Sequence, residues 1–175
     1  MSNTLYARTT LGNIADLTTP SSTQKYVLGE QVLAYDSDNK VIAKYEYVKS
    51  HGALGINIPY VIVASSTAGS EVITAAPFTL AAPGLRVCVP QVAFTSGYYG
   101  FVLIQGIGDA IMTAETYAVG DHLQVLNAGV AMVVDGSTGS TTYSVNTCAI
   151  CKEAGTTAVA KSIYLINRQA VCAAS

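Results

Sequence analysis

The chain has 175 residues, 50% apolar and only 11% charged, with nine Lys/Arg against eleven Asp/Glu and a formal net charge of −2. That length suits one domain, or one domain with an arm, and the charged share lies well under the roughly 25% of an average domain; part of the surface is therefore expected to be covered by other subunits, a neutral Ser/Thr-rich surface being the plainer alternative. No basic cluster exists to neutralise phosphates, which argues against nucleic-acid binding, and the longest apolar runs, such as Tyr60 to Ala64, are too short to cross a bilayer.

Residues 1–25 carry Gly12, Pro20 and many Ser/Thr with no sustained period. They read as an extended N-terminal arm that orders on a partner. The opening Met1-Ser2-Asn3-Thr4 is polar and no apolar stretch of a secretion signal follows, so synthesis in a cytoplasm as a soluble protein is expected. From Tyr26 the pattern changes. Tyr26-Val27-Leu28-Gly29-Glu30-Gln31-Val32 opens an alternating run, Asp36 to Lys40 forms a turn, and Tyr45 and Tyr47 alternate with Lys44 and Glu46. This is a strand, hairpin, strand signature for half-buried antiparallel β. Residues 51–60, with Gly52, Gly55, Asn57 and Pro59, read as a connection, and short strands follow at Tyr60 to Ala64 and from Glu71.

Val87 to Phe94 and Tyr99 to Gln105, joined through Ser96-Gly97, predict a second hairpin, and Asp109 to Thr113 a further strand after a Gly106-x-Gly108 break. The opening pattern then returns as Tyr117-Ala118-Val119-Gly120-Asp121-His122-Leu123, followed by an Asn127-Ala128-Gly129 turn and a strand at Val130 to Asp135. Tyr143 to Glu153 and Ala160 to Asn167 complete about ten strands, and no window holds an apolar 3.6 period over ten residues. The expected fold is all-β, an antiparallel barrel or sandwich. Residues 1–25 would be the arm and 26–175 the β-rich domain. Lys44, Lys49 and Lys152 are candidates to protect sheet edges.

Chemistry is sparse. Cys148-x-x-Cys151 has the spacing of a metal or redox pair, but strand positions three apart face opposite ways, so packed, reduced thiols are expected there and at Cys88 and Cys172. Gly106-Ile107-Gly108 lacks the third glycine and the helix of a dinucleotide fingerprint. Asp36-x-Asp38-x-Lys40 begins like a calcium loop but puts a cation where an oxygen belongs. Glu30 and Asp121 occupy matched places in the repeated pattern and are expected to bond backbone N–H groups at the turn. His51 and His122 sit in no nucleophile arrangement, His122 facing away from the core beside Leu123. Tyr98-Tyr99 are expected to split, one inward and one at a surface, in packing or subunit contact. No catalytic, metal-binding or cofactor-binding residue is assigned, and no enzyme activity is expected.

The segments Gly97 to Gly106 (GYYGFVLIQG), Ala118 to Leu123 (AVGDHL), Ala149 to Ala154 (AICKEA) and Ile163 to Ile166 (IYLI) resemble, in order and spacing, the decoration or cement proteins of tailed-phage capsids. Leu28 to Val32, with Lys44 to Val48, is similar to the opening of such chains, and the likeness spans roughly residues 26–166. Cysteines near the end and a Ser/Thr-rich insert near Gly136 depart from the pattern. The resemblance implies a β-rich module on the outside of a capsid. It would bind the major capsid protein and other copies of itself, as a homotrimer or else a dimer, without catalysis, cofactor, membrane or direct nucleic-acid contact. The arm would then lie along the capsid protein, adding a strand to it. A head-fibre or tail-associated receptor- or glycan-binding module is the alternative.

Overall fold

The computed structural model describes residues 5–7, 14–36, 40–64, 71–73, 86–125, 130–135 and 147–167. Among these residues the chain is almost entirely β. Its strands are β1 Leu5–Ala7, β2 Gln31–Asp36, β3 Val41–Ser50, β4 Tyr60–Ala64, β5 Glu71–Ile73, β6 Arg86–Cys88, β7 Tyr99–Ile111, β8 His122–Val125, β9 Met132–Val134, β10 Ala149–Cys151 and β11 Ala160–Leu165. One turn of 3-10 helix, Ile14–Leu17, lies between β1 and β2. The strands follow the order β6-β4-β5-β3-β7-β11-β10-β8-β9, with β2 and then β1 branching from β3. Pairing is antiparallel except between β3 and β5. The sheet folds back on itself like a sandwich without closing into a barrel.

β7 holds the fold together. Its first half pairs with β3 and its second half with β11. Its remaining edge is met by Ser21 at Tyr99 and by Val89 at Leu103. The sequence reading broke this strand at Gly106-x-Gly108; in the structure the strand continues across it, and β7 has 13 residues. Gly106 serves a bend. Register slips beside it, Lys44 facing Gln105 but Tyr45 facing Leu103, which leaves Ile104 as the extra residue of a bulge. Gly106 has φ 110°, and a Cβ there would lie 2.8 Å from the Cα of Ala43. Only glycine meets both demands.

The expected hairpin between residues 87–94 and 99–105 shrinks to one antiparallel bridge, Val89 to Leu103, with bonds of 2.9 and 3.2 Å. β6 pairs with β4 instead, and Phe94 bridges Leu54. Nor is β3 half-buried as expected; it and β7 are covered on both faces. Tyr45, Tyr47, Phe101 and Leu103 enter the larger core, while Val48, Val102 and Ile104 enter a second core with Leu54, Tyr60, Ile62, Cys88 and Phe94. A strand covered on both faces needs a continuous apolar run, and Phe101-Val102-Leu103-Ile104 supplies one. Glu46, expected to face solvent, is fully buried.

Residues 14–25, placed in the arm by sequence, lie against this sheet. Leu17 is buried in the larger core, and Ser21 exchanges two 2.8 Å backbone bonds with Tyr99. Lys25 pairs with Asp16 at 2.6 Å.

Lys44, Lys49 and Lys152 guard no edge. The first two lie on central β3, and Lys152 follows β10, an inner strand. The outer edge of β9 is met by the chain leaving β7. Thr113 N–H bonds Met132 O at 2.9 Å, and the Glu115 carboxylate accepts Val134 N–H at 2.7 Å. A carboxylate set on an edge donor blocks strand addition there.

Candidate functional site

The repeated Tyr-x-x-Gly-acid pattern builds one device twice. Val27 to Glu30 and Ala118 to Asp121 are turns closed by Glu30 N–H to Val27 O at 3.0 Å and Asp121 N–H to Ala118 O at 3.2 Å. Gly29 and Gly120 sit at φ 83° and 96°, as the third position of a type II turn requires. The acid then caps its own turn: a Glu30 oxygen accepts Val27 N–H at 3.3 Å, and an Asp121 oxygen accepts Ala118 N–H at 2.7 Å. Each turn is docked by one residue that exchanges two bonds with it. Gly29 N–H reaches Tyr47 O and Tyr47 N–H reaches Glu30 O, both at 2.8 Å. Cys151 does the same for Gly120 and Asp121, at 2.9 and 2.8 Å. Two residues thus oppose one, the geometry of a glycine bulge.

The device has two relatives: the Ser96-Gly97 turn, which the sequence showed without its likeness to the other two, and a turn at Asn57, which it did not show. Thr95 to Tyr98 is closed by Tyr98 N–H to Thr95 O, carries Gly97 at φ 80°, and is docked by Ser50 in the same two-bond manner. Gly55 to Ile58 carries Asn57 at φ 62°, with Asn57 N–H bonded to Pro90 O. The shared signal is Tyr, Phe or Leu, two residues, then Gly or Asn, then a strand. The acid is dispensable.

Most carboxylates serve the backbone or a neighbouring side chain. Asp16 accepts from Lys25 and Tyr26, which hold its carboxyl below the usual range. Glu115 accepts from Thr113 and Val134, Asp135 from Thr147, and Glu153 from Lys161. Glu46 pairs with Arg86 at 3.2 Å and accepts from Gln31 at 2.7 Å. That buried pair ties the short β6 to the central sheet, and breaking it strands a charge. Glu30 and Asp121 each cap a separate turn and form no acid–base couple.

Cys88, Cys148 and Cys151 are buried free thiols. Burial raises all three; Cys148 is pushed up to about 12, and Cys88, beside Glu46, is raised well above the ordinary range. Cys148 and Cys151 both lie in the larger core, where their sulfurs bond Leu123 O and Glu153 O. Among the described residues no group of three His, Cys, Asp or Glu side chains is placed to hold a metal. Cys172 and residues 37–39 of the calcium-like stretch lie outside the described residues. His51 is exposed and His122 half-buried. Tyr98 and Tyr99 are both half-buried; Tyr99 stacks on Tyr47 with centroids 6.4 Å apart, and Lys49 lies over its ring.

What remains for contact is apolar surface. Val27, Leu33, Ile42, Ile56, Val119, Val130 and Val159 are exposed, Val27 (71%) and Val119 (64%) most of all, each on an acid-capped turn. Among the described residues no helix is long and apolar enough to cross a membrane.

No protein-family model matches the chain, and no curated protein matches it. Among solved structures the chain is similar to the N base of the head fiber protein gp8.5 of bacteriophage phi29, with a TM-score of 0.46 and 9% identity, covering 71% of this chain and 95% of that one. A likeness at that level carries no functional weight.

Proposed function

We propose that this protein is a capsid decoration protein, a non-catalytic virion component that binds the outside of a phage shell and bridges major capsid protein subunits. One observation carries the reading. The segments that resemble decoration proteins are scattered along the sequence, yet they assemble into a contiguous block. Gly97 to Gly106 lies on β7, Ile163 to Ile166 on β11, Ala149 to Ala154 on β10, and Ala118 to Leu123 enters β8; these strands are neighbours in that order. The two opening segments enter β2 and β3, which pair with each other and reach β7. The motifs of the resemblance are thus the middle of the sheet.

The physics of such a role is multivalency. Modest contacts repeated by symmetry add up to a clamp that no single contact provides. Rigid turns with apolar tips suit this, because little freedom is lost when they bind.

The test is sedimentation of the purified full chain with DNA-filled heads of the phage that encodes it. Saturable binding at a fixed ratio to capsid protein supports the reading; absence from the head fraction rejects it. Specific retention on a glycan array without head binding would transfer the role to a receptor-binding module. Deletion of residues 1–25, the expected arm, should weaken head binding, but it also removes Leu17 and Ser21 from the fold; unfolding of the truncated chain must be measured beside its binding.

A further inference from the structure

Residues 14–25 cross the start of β7 as a strap, and one carboxylate fastens it. Leu17 holds the near end in the larger core, and Ser21 pairs with Tyr99 at the middle. From Ser22 to Lys25 the strap is exposed. Thr18, Ser21 and Gln24 spend their side chains within three residues of themselves. Asp16 reaches from one end to the other. One of its oxygens accepts Lys25 Nζ at 2.6 Å and the other accepts the Tyr26 hydroxyl at 2.7 Å. Those two residues are themselves fixed to the sheet. Lys25 N–H bonds the Tyr47 hydroxyl at 3.0 Å, and the Tyr26 ring lies 5.2 Å from those of Tyr47 and Phe101. The carboxylate is thus a buckle that closes residues 16–26 into a loop.

We infer that Asp16 is an acid-released latch: protonation of its carboxylate lifts the strap and uncovers the edge of β7 at Tyr99. The proton removes the charge on which both bonds depend, and a charge-assisted bond is roughly twice as strong as a neutral one. It also occupies an oxygen that Lys25 or Tyr26 now uses. Lys25 and Tyr26 hold the carboxyl below its ordinary range. The latch is therefore fully fastened above the unfolded value of about 3.9 and is lost as pH falls through the lower folded one. The other titratable groups at this end are Tyr47 of β3, with Lys49 of β3 over the ring of Tyr99 on β7, and Glu30, turned to Val27 N–H. β1, which also touches the 3-10 turn, carries Tyr6. Glu30 is the second carboxylate here and caps a different group, so it serves as the control. Once the strap lifts, Tyr99 N–H and C=O lose Ser21 and stand on an open sheet edge, where an extended chain can pair. The device works in the chain alone, whatever its contacts with a shell.

The experiment is amide hydrogen exchange of the full chain, read as protection factors at about pH 6 and about pH 2.5, for the parent, D16N and E30Q. Ser21 and Tyr99 report the strap; Val102 and Ile163 report the sheet. In the parent, acid should lower protection at Ser21 and Tyr99 at least threefold while Val102 and Ile163 hold. D16N should show the loosened strap already at pH 6 and loosen no further in acid, and E30Q should behave as the parent. Lys25→Met, at an exposed position, removes the ion pair by a second route and should loosen the same two amides at pH 6, which keeps the test decisive if D16N does not fold. Parent-like protection in D16N or in Lys25→Met at pH 6 overturns the inference. So does an acid effect that D16N retains or E30Q removes, or a loss shared equally by Val102 and Ile163.

Discussion

The turns at Gly29 and Gly120 share a sequence pattern, a closing bond, a positive φ and an acid cap, yet they dock on different kinds of strand. The first is held by Tyr47 of β3, the partner of β2 in its own hairpin. The second is held by Cys151 of β10, while the hairpin partner of β8, β9, takes the opposite edge. Local chemistry builds the turn; the rest of the chain decides what it rests on. The tyrosines before the glycines differ likewise. Tyr26 is half-buried, its ring about Tyr47 and Phe101 at 5.2 Å and its hydroxyl on Asp16. Tyr117 is 2% exposed, its ring over Gly155 and its hydroxyl on Thr157 O.

That contrast can be broken at several strengths. Tyr117→Ala should cost about 3–5 kcal/mol in urea unfolding, the range for an emptied aromatic site. Tyr26→Ala should cost about 1–2 kcal/mol, mostly two ring contacts; equal costs would remove the distinction. Gly29→Ala and Gly120→Ala should each cost about 1–2 kcal/mol, the penalty of a left-handed backbone. A Cβ at Gly120 meets nothing within 4 Å, so its cost should be conformational alone.

Alkaline stability should report on the buried thiols of both cores. Burial raises Cys148 to about 12 and also raises Cys151 and Cys88. A thiol that holds its proton more tightly when folded gives stability that is full below the unfolded value near 8.5 and declines above it. Stability should therefore fall from about pH 8.5 toward 12, by up to ~1.4 kcal/mol per pH unit for each such thiol. Cys148→Ala should flatten the slope. Removing the caps should have a smaller effect: Asp121→Ala about 1 kcal/mol and Glu30→Ala about 0.5 kcal/mol, in the order of their bond lengths.

The acid limb should report on the first turn and be the weakest effect. The Asp16 carboxyl is lowered by Lys25 and Tyr26, so its contribution is present above the unfolded value near 3.9 and is lost as pH falls through the lower folded value. A pH titration of Asp16→Asn should lack that component.

The acid-capped turns were legible because a tyrosine, a glycine and an acid sit within six residues, and the acid both closes and caps the turn through a residue three places before it. The turn at Gly97 was legible too, but its docking on Ser50 was not, and the hairpin inferred from it holds only at the Val89–Leu103 bridge. Which strand a turn meets depends on residues far along the chain. The same limit hid Glu46: alternation put it in solvent, and the Arg86 charge brought over by β6, with Gln31 from β2, accounts for its burial. Gly106-x-Gly108 looked like a break because the close approach of Ala43 leaves no trace in the local sequence. The Asn57 turn was missed because Leu54 and Asn57 replace the aromatic and the glycine.

The central claim is that the sheet gathering these motifs belongs to the surface of a phage head. Image reconstruction of particles carrying the protein tests this most directly. The account predicts density for the β-rich domain at symmetry-related positions on the outer shell, in contact with more than one capsid subunit. Particles whose outer surface lacks it, or that carry it only at the tail, would contradict the account.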